Sequence, residues 1–445
     1  MKLDGLKVVV VGMARSGLAA VEFLSARGAD VTATDANSLE TLGDAGAALQ
    51  RLRVPFVLQQ TEIFEKADLV VASPGVPAGA PDLQLVRSKG IPVIGEVELA
   101  ARFLRGPVVA ITGSNGKTTT TALLGHLLET AGIAAQVGGN IGVPPTTMVE
   151  TSRDDQWNVL ELSSFQLATT STLHARIAAI LNISENHLDW HGSMDAYRAA
   201  KGRIMRHQTS ADLVVLKLDD SACLNYADQT PARVGWFSLS QAMAGGAWLA
   251  GGELVVNGEP LMAAAEVPLP GRHNLENVLA AARMALDAGA PLADIARGVT
   301  SFQAVEHRLE FVRTRGGVRY YNDSKATTPA AALKSIEALD GPLWIILGGK
   351  DKGLDFTALR EPLSGRARAA LLVGQDAAKI AGQLAGAVPI EQLGTIDAAV
   401  RFAAQRAKPG EVVLLAPACT SWDQFKNFEE RGRLFKEVVR ALEGD

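Results

Sequence analysis

The stretch Thr112-Gly113-Ser114-Asn115-Gly116-Lys117-Thr118-Thr119 decides the fold of the middle of the chain. It lies between an apolar run at 108–111, which is typical of a buried strand, and a helical pattern that extends to about Thr130. A strand, a glycine-rich turn and a helix in this order indicate a phosphate-binding loop, because small residues let backbone N–H groups converge on phosphate oxygens at a helix N-terminus. The strict eight-residue motif requires glycine at position 111, where this chain has Ile111, so the turn is a shorter variant.

Two side chains near the end of this stretch are suited to a nucleoside triphosphate bound with magnesium. The ammonium of Lys117 can reach the β- and γ-phosphates, and the hydroxyl of Thr118 can ligate the metal. The alternative is a glycine-rich turn that only joins a strand to a helix, but the Lys-Thr-Thr sequence favours phosphate binding. We therefore predict an ATP site made by Gly113, Ser114, Asn115, Gly116, Lys117, Thr118 and Thr119.

Outward from this turn, strand-like and helical patterns alternate along the whole chain. Before the turn, β-branched runs, the first at 7–11, are separated by helical stretches, which is typical of a doubly wound parallel sheet. Comparable runs follow the turn, and others begin after Glu306. We therefore predict an α/β protein of three domains: an N-terminal Rossmann-like domain at 1–95, a central P-loop ATPase-like sheet at 96–304, and a C-terminal Rossmann-like domain at 305–445.

The first strand-helix turn, Gly12-Met13-Ala14-Arg15-Ser16-Gly17, is similar to a dinucleotide-binding fingerprint, and Asp35 ends the second predicted strand. Ala14 stands where the fingerprint has the middle glycine that lets a pyrophosphate approach the backbone. We therefore expect this turn to bind some nucleotide moiety rather than NAD. A tight turn that only the fold requires is the alternative.

Potential metal ligands follow the glycine-rich turn. Glu161 ends the strand predicted at 158–162, where a carboxylate can hold a metal ion beside bound ATP. The residue types alone do not select His187 or Lys201 as ligands, because a single histidine is usually structural or at the surface and a single helical lysine is usually solvated.

Three polar loops of the last domain each follow a predicted strand, at 322–328, 348–352 and 417–421. Each is an ordinary loop when taken alone. Because α/β domains place ligand contacts at the carboxyl ends of their strands, three such loops from one sheet predict a convergent binding site.

The bulk composition excludes several classes of function. Of the 445 residues, 47% are hydrophobic and the formal net charge is −5, so we expect neither nucleic-acid binding nor attraction to acidic membranes. Cys223 and Cys419 do not form a Cys-x-x-Cys motif, which fits a reducing compartment. No apolar run approaches the ~20 residues of a membrane-spanning helix. We therefore expect a cytoplasmic protein with no membrane insertion.

A series of short blocks along the chain resembles the Mur ligases, which are ATP-dependent amide-forming enzymes that build the peptidoglycan precursor peptide. The blocks occur in the order of that family and span nearly the whole chain. They are Gly113-Ser114-Asn115-Gly116-Lys117-Thr118-Thr119, Gly138-Gly139-Asn140-Ile141-Gly142, Glu161-Leu162-Ser163-Ser164-Phe165-Gln166, Asn186-His187-Leu188-Asp189, Gly271-Arg272-His273-Asn274, His307-Arg308, Asn322-Asp323-Ser324-Lys325-Ala326-Thr327 and Ser421-Trp422-Asp423-Gln424-Phe425-Lys426-Asn427-Phe428-Glu429.

Within this family, the blocks at 322–327 and 421–429 most resemble the members that add D-glutamate, and the Asp-Asn-Pro-Arg block typical of diaminopimelate- or lysine-adding members is absent. The resemblance therefore implies a ligase that joins D-glutamate to UDP-N-acetylmuramoyl-L-alanine through an acyl phosphate and forms ADP. It implies ATP and Mg²⁺, the latter at two sites, as cofactors. We expect the enzyme to be a monomer.

The resemblance also assigns roles that the residue pattern alone left open. Glu161 and His187 match positions that hold magnesium, together with Thr118. Lys201 matches a lysine that is carbamylated by carbon dioxide, which turns a cation into an anion able to join the metal site. The implied catalytic residues are Lys117, His187, Lys201 and Arg308, and His187 is also a candidate base for the incoming amine.

Nucleotide and substrate contacts are implied for a further set of positions. Asn274 matches a contact with adenine, Asp323 one with the ribose, and Arg308 one with the γ-phosphate. The implied UDP-sugar contacts are Ser16, Asp35, Ser73 and Asn140; those for D-glutamate are Thr327, Lys352, Ser421 and Phe428; and Gly75, Gln166 and Lys325 are further expected substrate contacts. Trp422 departs from the family, which typically has an aliphatic residue beside this serine, and this leaves the selectivity for the amino acid open.

Three other functions share parts of this pattern. A folylpolyglutamate synthase has the same plan, but the UDP-binding type of N-terminal domain argues against it. A nicotinamide oxidoreductase is suggested by the first turn alone, and it would bind NADH tightly without turning over ATP. A P-loop switch or motor would hydrolyse ATP independently of any amino acid.

Overall fold

Each sheet of the protein is built from buried runs of branched apolar residues. The computed structural model describes residues 1–77 and 79–443. Within these ranges the chain forms three sheets, of five, nine and six strands, so the predicted α/β class with three sheet-containing domains is confirmed. The chain divides into two compact units: unit 1 comprises 1–267 and 275–302, and unit 2 comprises 268–274 and the residues from 303 onward. The domain boundaries predicted at 95 and 304 stay predictions.

The N-terminal sheet confirms the doubly wound pattern. The elements of this region are β1 (Lys7–Val11), α1 (Arg15–Ser25), β2 (Asp30–Asp35), α2 (Asp44–Leu52), β3 (Phe56–Leu58), β4 (Leu69–Ala72), α3 (Pro81–Ser88), β5 (Val93–Gly95) and α4 (Glu96–Ala101). All pairs are parallel, in the order β3-β2-β1-β4-β5. Four consecutive valines at 8–11 are almost completely buried in β1. The carboxyl ends of β2, β1 and β4 therefore lie side by side at one edge.

The central sheet has nine strands, and the glycine-rich turn follows β6, an interior strand of this sheet. The elements are β6 (Val108–Thr112), α5 (Lys117–Thr130), β7 (Ala135–Gly139), α6 (Pro145–Met148), β8 (Trp157–Glu161), α7 (Ser164–Ala168), β9 (Ile177–Ile180), α8 (Leu188–His191), α9 (Met194–Gly202), β10 (Leu213–Lys217), α10 (Ser221–Ala227), β11 (Arg233–Ser238), β12 (Ala247–Ala250), β13 (Glu253–Val256), β14 (Glu259–Ala263), α11 (Arg272–Asp287) and α12 (Leu292–Ser301). The order is β14-β13-β12-β11-β10-β9-β6-β8-β7. Strands β6 to β12 pair in parallel, and β12, β13 and β14 form antiparallel hairpins at one side.

The C-terminal sheet has six strands and one antiparallel edge. Its elements are β15 (Glu310–Arg315), β16 (Val318–Asn322), α13 (Pro329–Ala338), β17 (Leu343–Gly348), α14 (Arg360–Leu363), β18 (Ala367–Val373), α15 (Ala377–Leu384), β19 (Ile390–Gly394), α16 (Ile396–Arg406), β20 (Val412–Leu415) and α17 (Phe428–Arg440). The order is β15-β16-β20-β17-β18-β19, and only β15 runs antiparallel to its neighbour among these strands. Strands β16, β20 and β17 are adjacent, so the loops that follow them meet at one edge of the sheet.

The helices of the three domains pack against these sheets rather than standing alone. In α5, for example, Leu123, Leu124, Leu127 and Leu128 are all fully buried. None of the helices in residues 1–77 and 79–443 is long and apolar enough to cross a membrane.

Candidate active site

The glycine-rich turn between β6 and α5 is held in shape by the loop after β9. The Ser114 N–H donates to the Asn182 carbonyl oxygen (2.9 Å), and the Asn115 N–H donates to Asn182 Oδ1 (2.8 Å). The Asn182 amide donates in return to the Asn115 carbonyl oxygen (3.1 Å). Gly116, at φ 82°, precedes α5, and a Cβ at this position would lie 2.4 Å from Asn277 Oδ1. A side chain at Gly116 would therefore crowd Asn277 in a backbone conformation that favours glycine, and hydrogen bonds to Asn182 hold the turn in place.

The predicted phosphate-binding side chains lie at the N-terminus of α5. Lys117 folds back so that its Nζ donates to the carbonyl oxygens of Gly113 (2.9 Å) and Ser114 (3.1 Å). Thr118 and Thr119 belong to the first helical turn and are buried. An ammonium group beside the positive end of a helix makes this turn attractive to a phosphate.

Lys201, on α9, reaches the same turn from a distant part of the sequence. Its Nζ donates to the Gly113 carbonyl oxygen (2.8 Å) and to Thr112 Oγ1 (3.2 Å), and it lies 4.8 Å from the centre of the Tyr197 ring. Lys117 and Lys201 therefore share one carbonyl oxygen. Burial, and then the nearby Lys117 ammonium, hold the pKa of Lys201 well below its ordinary value.

Glu161, at the end of β8, is buried beside the loop that contains Asn140. Its Oε1 accepts a hydrogen bond from Asn140 Nδ2 (2.8 Å), and its carbonyl oxygen accepts one from the Asn140 N–H (2.8 Å). Arg15, at the start of α1, donates from Nη2 to the Asn140 carbonyl oxygen (3.3 Å). This loop thus joins the predicted metal ligand Glu161 to the first turn of the N-terminal domain.

His187 lies at the N-terminus of α8 with a left-handed backbone (φ 55°). Its ring is exposed and its centroid lies 4.7 Å from that of Phe165, which belongs to α7. The Phe165 ring also stacks on His191 at 5.6 Å with an angle of 6° between the planes. Contacts with the Phe165 ring therefore orient the ring of His187.

Gln166 has a structural role in α7. Its Oε1 accepts hydrogen bonds from the Ser163 N–H (3.0 Å) and the Ser163 hydroxyl (3.1 Å), and the Gln166 N–H donates to Ser163 Oγ (3.3 Å). This reciprocal arrangement is a capping box, which fixes the first turn of the helix. The substrate contact predicted for Gln166 stays a prediction.

The predicted UDP-sugar residues of the N-terminal domain lie after β1, β2 and β4. Asp35 Oδ2 accepts a hydrogen bond from the Met13 N–H (2.7 Å), and the Ser73 hydroxyl donates to the Gly12 carbonyl oxygen (2.6 Å). Ser16 is half-buried in the first turn of α1, and Gly75 is exposed in the turn after β4. The four residues therefore share one edge of the sheet, and two of them also support the turn itself.

In unit 2, the three polar loops predicted to converge are tied together directly. Lys350 and Thr420 exchange two backbone hydrogen bonds of 3.0 Å each, which joins the loop after β17 to the loop after β20. The Ala418 N–H donates to the Ala326 carbonyl oxygen (2.8 Å), which joins the latter loop to the one after β16. The expected convergence of the loops is confirmed.

The predicted ATP contacts of unit 2 lie in and beside the loop after β16. Asp323 is buried, and its carboxylate accepts a hydrogen bond from the Ser335 hydroxyl. Burial raises the pKa of Asp323, while that hydrogen bond and the positive charge of Arg308 oppose the rise. Arg308 is half-buried just before β15. Asn274 is buried, and its Nδ2 donates to the Pro270 carbonyl oxygen (2.7 Å).

Two lysines among the predicted substrate contacts of unit 2, Lys325 and Lys352, lie close to aromatic rings. Lys325 Nζ lies 5.4 Å from the centre of the Phe428 ring, and Lys352 Nζ lies 5.3 Å from the centre of the Trp422 ring. Thr327 is half-buried in the loop after β16, and Ser421 is buried in the loop after β20. These positions therefore share the edge where the three loops meet.

Two residues that sequence reasoning missed hold the candidate sites in place. Asn182 clamps the glycine-rich turn of unit 1, as described above. Arg431, in α17 and 1% exposed, donates to the Ser324 carbonyl oxygen (2.8 Å), to Ser324 Oγ (3.0 Å) and to the Cys419 carbonyl oxygen (3.1 Å). The sequence gives no local signal for this role, because an arginine in a charged helical stretch is typical of a solvated face.

The residues around the glycine-rich turn fit a nucleotide bound with magnesium, although they are incomplete as a metal site. Glu161 Oε2 is buried and has no hydrogen-bond partner among the described residues, so an oxygen ligand is available there. In the described ranges, no three His, Cys, Asp or Glu side chains cluster closely enough to hold a metal ion. A further anionic ligand would have to come from another source, such as a modified lysine or the phosphates.

Comparison with known proteins agrees with this geometry. Three sequence profiles match the chain: the Mur ligase MurD-like N-terminal domain at 6–95, the Mur ligase middle domain at 111–285, and the Mur ligase glutamate ligase domain at 307–419. The UDP-N-acetylmuramoylalanine--D-glutamate ligase of Solibacter usitatus is 56% identical over 443 residues, which cover 100% of this chain and 99% of that protein. The enzyme of the same name from Acidobacterium capsulatum is 50% identical, over 100% of this chain and 98% of that protein.

Solved structures share the fold. The UDP-N-acetylmuramate-alanine ligase MurC of Thermotoga maritima has a TM-score of 0.62 at 19% identity, over 98% of this chain and 99% of that one. The MurF ligase of the same organism, solved with ADP, has a TM-score of 0.61 at 18% identity, over 89% of this chain and 92% of that one. Together with the full-length sequence matches, these findings show that the chain belongs to the Mur ligase family.

Proposed function

We propose that this protein is an ATP-dependent ligase that joins D-glutamate to UDP-N-acetylmuramoyl-L-alanine and releases ADP and phosphate. The observation that carries the substrate assignment is the full-length similarity to ligases named for this reaction. The glycine-rich turn with its inward-folded Lys117 supports the use of ATP.

The chemical problem is that a carboxylate resists attack by an amine, because attack must overcome its negative charge and resonance. Transfer of the ATP γ-phosphoryl group to the carboxylate of the alanyl residue makes an acyl phosphate, whose phosphate is a good leaving group. This transfer requires charge neutralisation and alignment more than covalent help. We assign that task to Lys117 and Thr118 in unit 1 and to Arg308 in unit 2.

Magnesium, held by Thr118, Glu161 and His187, would neutralise phosphate charge and align the reacting groups. The unsatisfied Oε2 of Glu161 supports this assignment, because a buried carboxylate oxygen without a donor is costly unless a cation satisfies it. The left-handed backbone and the Phe165 contact of His187 hold its ring in a defined place. Two metal sites are part of this proposal.

We also assign a carbamate to Lys201. Its Nζ is buried and forms no ion pair with a carboxylate in the part of the chain that the structure describes. The neutral amine can attack the carbon of CO₂, so that an N–C bond forms, one C–O double bond becomes a carboxylate, and a proton leaves the nitrogen. The resulting anion would lie close to the Lys117 ammonium, which contacts the same Gly113 carbonyl oxygen, and the two opposite charges would attract each other.

The substrates are assigned to different parts of the chain. Ser16, Asp35, Ser73, Gly75 and Asn140 hold the UDP-sugar, and Gln166 supports that substrate within unit 1. Thr327, Lys325, Lys352, Ser421 and Phe428 hold D-glutamate in unit 2. Asn274 and Asp323 contact the adenosine of ATP. The amine of D-glutamate must lose a proton before it attacks the acyl carbon, and the candidate base is His187, which can accept that proton only while its ring does not hold magnesium.

We place the enzyme in the cytoplasm, as a monomer, in the synthesis of the peptidoglycan precursor. The nature of the substrates supports this assignment, because ATP and UDP-linked precursors are cytoplasmic compounds.

The decisive assay offers ATP, magnesium and UDP-N-acetylmuramoyl-L-alanine with D-glutamate, L-glutamate, diaminopimelate or lysine in separate reactions. We expect ADP release only with D-glutamate, together with a product heavier by one glutamyl residue in mass spectrometry. Equal ADP release without any amino acid would instead indicate a nucleotide-driven switch, and ADP release with another amino acid would change the substrate.

A further inference from the structure

We propose that Trp422 is a specificity-determining residue of the amino-acid site, where its indole holds the Lys352 ammonium in position for a carboxylate of an acidic amino acid. The inference rests on the proposed function, since it concerns the same site in unit 2. It adds a residue for which the reaction itself gives no role.

The exposure of Trp422 is the first observation. Its side chain is 63% exposed, whereas its neighbour Ser421 is 2% exposed. A large aromatic side chain left in water loses the free energy that burial would give, so a surface tryptophan in a ligand-binding loop is typical of a contact surface. The Lys352 ammonium lies 5.3 Å from the centre of this ring, within the range of a cation–π interaction.

The loop that carries Trp422 is well ordered by its contacts. Before it, Thr420 is bonded to Lys350, including a bond from Thr420 Oγ1 to the Lys350 carbonyl oxygen (2.7 Å). After it, the Asp423 carboxylate accepts a hydrogen bond from the Gln375 N–H (2.9 Å). The Ser421 carbonyl oxygen also accepts one from the Phe425 N–H (2.8 Å). The indole therefore projects from a fixed backbone.

The charges beside Lys352 leave its ammonium available for a ligand. Asp351 is adjacent in sequence, but its carboxylate is bonded to the Lys379 ammonium and to the backbone N–H groups of Gly353 and Leu354. Within residues 1–77 and 79–443, Lys352 forms no ion pair with a carboxylate, whereas Lys379 does. An aromatic face attracts the ammonium without neutralising it, so a carboxylate can still bind on the open side.

This arrangement favours an acidic amino acid over a basic one. A carboxylate gains a charge-assisted hydrogen bond from Lys352, while a second ammonium would be repelled by it. The indole limits the rotamers of Lys352 before the ligand arrives, which reduces the entropy lost on binding. The same ring can pack against the aliphatic carbons of the amino acid.

The test compares Trp422→Ala and Trp422→Phe with the wild type, and it uses Phe311→Ala as a matched control. Phe311 is also exposed (50%) and lies in unit 2, on the edge strand β15.

We expect Trp422→Ala to raise the KM for D-glutamate about three- to tenfold, with kcat and the KM for UDP-N-acetylmuramoyl-L-alanine unchanged. Trp422→Phe should recover most of the loss, because it keeps an aromatic face. An unchanged KM in Trp422→Ala would overturn the inference, as would an equal fall in kcat with no change in KM.

A binding measurement separates this inference from the proposed reaction. Titration of the wild type with D-glutamate should change the tryptophan fluorescence with saturation, lysine should not, and the change should disappear in Trp422→Phe. If the wild type binds D-glutamate with this signal but does not turn it over, the proposed reaction fails and the inference stands. If Trp422→Phe keeps the full signal, the inference fails even though the ligase is active.

Discussion

Unit 1 and unit 2 each bury the side chain of a basic residue beside a candidate site, and the two side chains differ in how burial affects their charge. Lys201 in unit 1 and Arg431 in unit 2 are both 1% exposed and both donate to backbone carbonyl oxygens rather than to a carboxylate. Burial lowers the pKa of Arg431 only to about 10, so the guanidinium stays charged at neutral pH. The pKa of Lys201 falls well below its ordinary value through burial and the nearby Lys117.

This difference in pKa means that the Lys201 amine can react, whereas the Arg431 guanidinium can only hold neighbouring loops in place. A buried amine that loses its proton becomes a nucleophile, whereas a guanidinium keeps its charge and its five N–H donors. Unit 1 therefore contains a candidate for chemical modification, and unit 2 contains a permanent tie between loops.

The largest effect is expected at the turn that both lysines of unit 1 contact. Lys117→Ala removes the ammonium beside the N-terminus of α5, and we expect kcat for ADP release with D-glutamate to fall about 10³-fold. The control is Lys334→Ala, which removes an exposed lysine paired with Glu337 on α13. Coupled nucleotide cleavage at the wild-type rate in Lys117→Ala would remove this residue from the mechanism.

The next effect is expected at Lys201. Lys201→Ala should lower kcat about 10²-fold, and short carboxylic acids such as acetate or formate should restore part of the activity by supplying the missing anion. Carbon-13 NMR in the presence of labelled bicarbonate should show a carbamate signal in the wild type that is absent from the variant. Lys89→Ala, at an exposed lysine, should keep both the signal and the activity. A wild type without a carbamate signal would contradict the modification.

Much of the framework for these sites could be predicted from the sequence. The runs that became β1, β6 and β8 are continuous, apolar and buried, so their pattern is strong, and the residues at their ends were placed correctly. Strands β3, β7, β11, β14 and β19 were missed. Of these, β3, β7, β14 and β19 lie at the edges of their sheets and are only partly buried, so they lack the long apolar run that marks a central strand. Strand β11 lies inside the central sheet, but its sequence is polar at both ends and Gly235 interrupts its apolar run.

The contacts within the sites were harder to predict, because they join residues that are far apart in sequence. Lys201 meets Gly113 across 88 positions, and Arg431 meets Ser324 across 107. The sequence pattern alone predicted a role for neither Lys201 nor Arg431. The family resemblance implied the role of Lys201, and the role of Arg431 is seen only in the structure. The sequence pattern at 96–105 predicts a helix that is longer than the one in the structure. Helix α4 ends at Ala101, and the N–H groups of Phe103 and Leu104 both donate to the Ala100 carbonyl oxygen in the turn that follows.

Glu96 is a buried carboxylic acid in unit 1, and it tests how burial changes the pKa of an acidic side chain. Its Oε1 accepts hydrogen bonds from the N–H (2.6 Å) and the hydroxyl (2.7 Å) of Thr146, and its Oε2 has no partner in the described part of the chain. Burial raises its pKa to about 7, against the opposing effects of Thr146 and Arg15. The folded protein therefore holds this proton more tightly than the unfolded chain, so the stability that Glu96 contributes is present at low pH and is lost as the pH rises towards 7.

Glu96→Gln should remove this dependence, because the amide keeps the shape without the titration. We expect the free energy of unfolding of the variant, relative to the wild type, to increase by roughly 1–3 kcal/mol between pH 5 and pH 8. This change is measured from the thermal unfolding midpoints of the wild type and the variant at the two pH values. The control is Glu62→Gln, at an exposed position. A constant difference across this range would show that Glu96 titrates at its ordinary pKa.

The smallest effect is expected for Arg431→Lys, because Arg431 positions the loops of unit 2 and takes no part in the reaction. Arg431→Lys keeps the charge but replaces a planar fork with a single ammonium, so it cannot serve both Ser324 and the Cys419 carbonyl oxygen with the same geometry. We expect the KM for D-glutamate to rise about three- to tenfold, because the loops that carry Lys325 and Ser421 lose their shared tie. The KM for UDP-N-acetylmuramoyl-L-alanine, which depends on unit 1, should stay within about twofold of the wild type.

Two further variants distinguish positioning from a general loss of stability. Arg433→Lys changes an exposed arginine one half-turn away and should leave all constants unchanged. Arg431→Ala creates a cavity, and millimolar guanidinium, far below denaturing concentrations, should lower its KM for D-glutamate by occupying the vacated place. Rescue of Arg431→Ala by guanidinium but not by ammonium ions would show that unit 2 requires the planar guanidinium group. In unit 1, by contrast, carboxylates should restore the activity of Lys201→Ala and guanidinium should not. If both variants responded to the same ion, the distinction between a reactive and a supporting buried cation would fail.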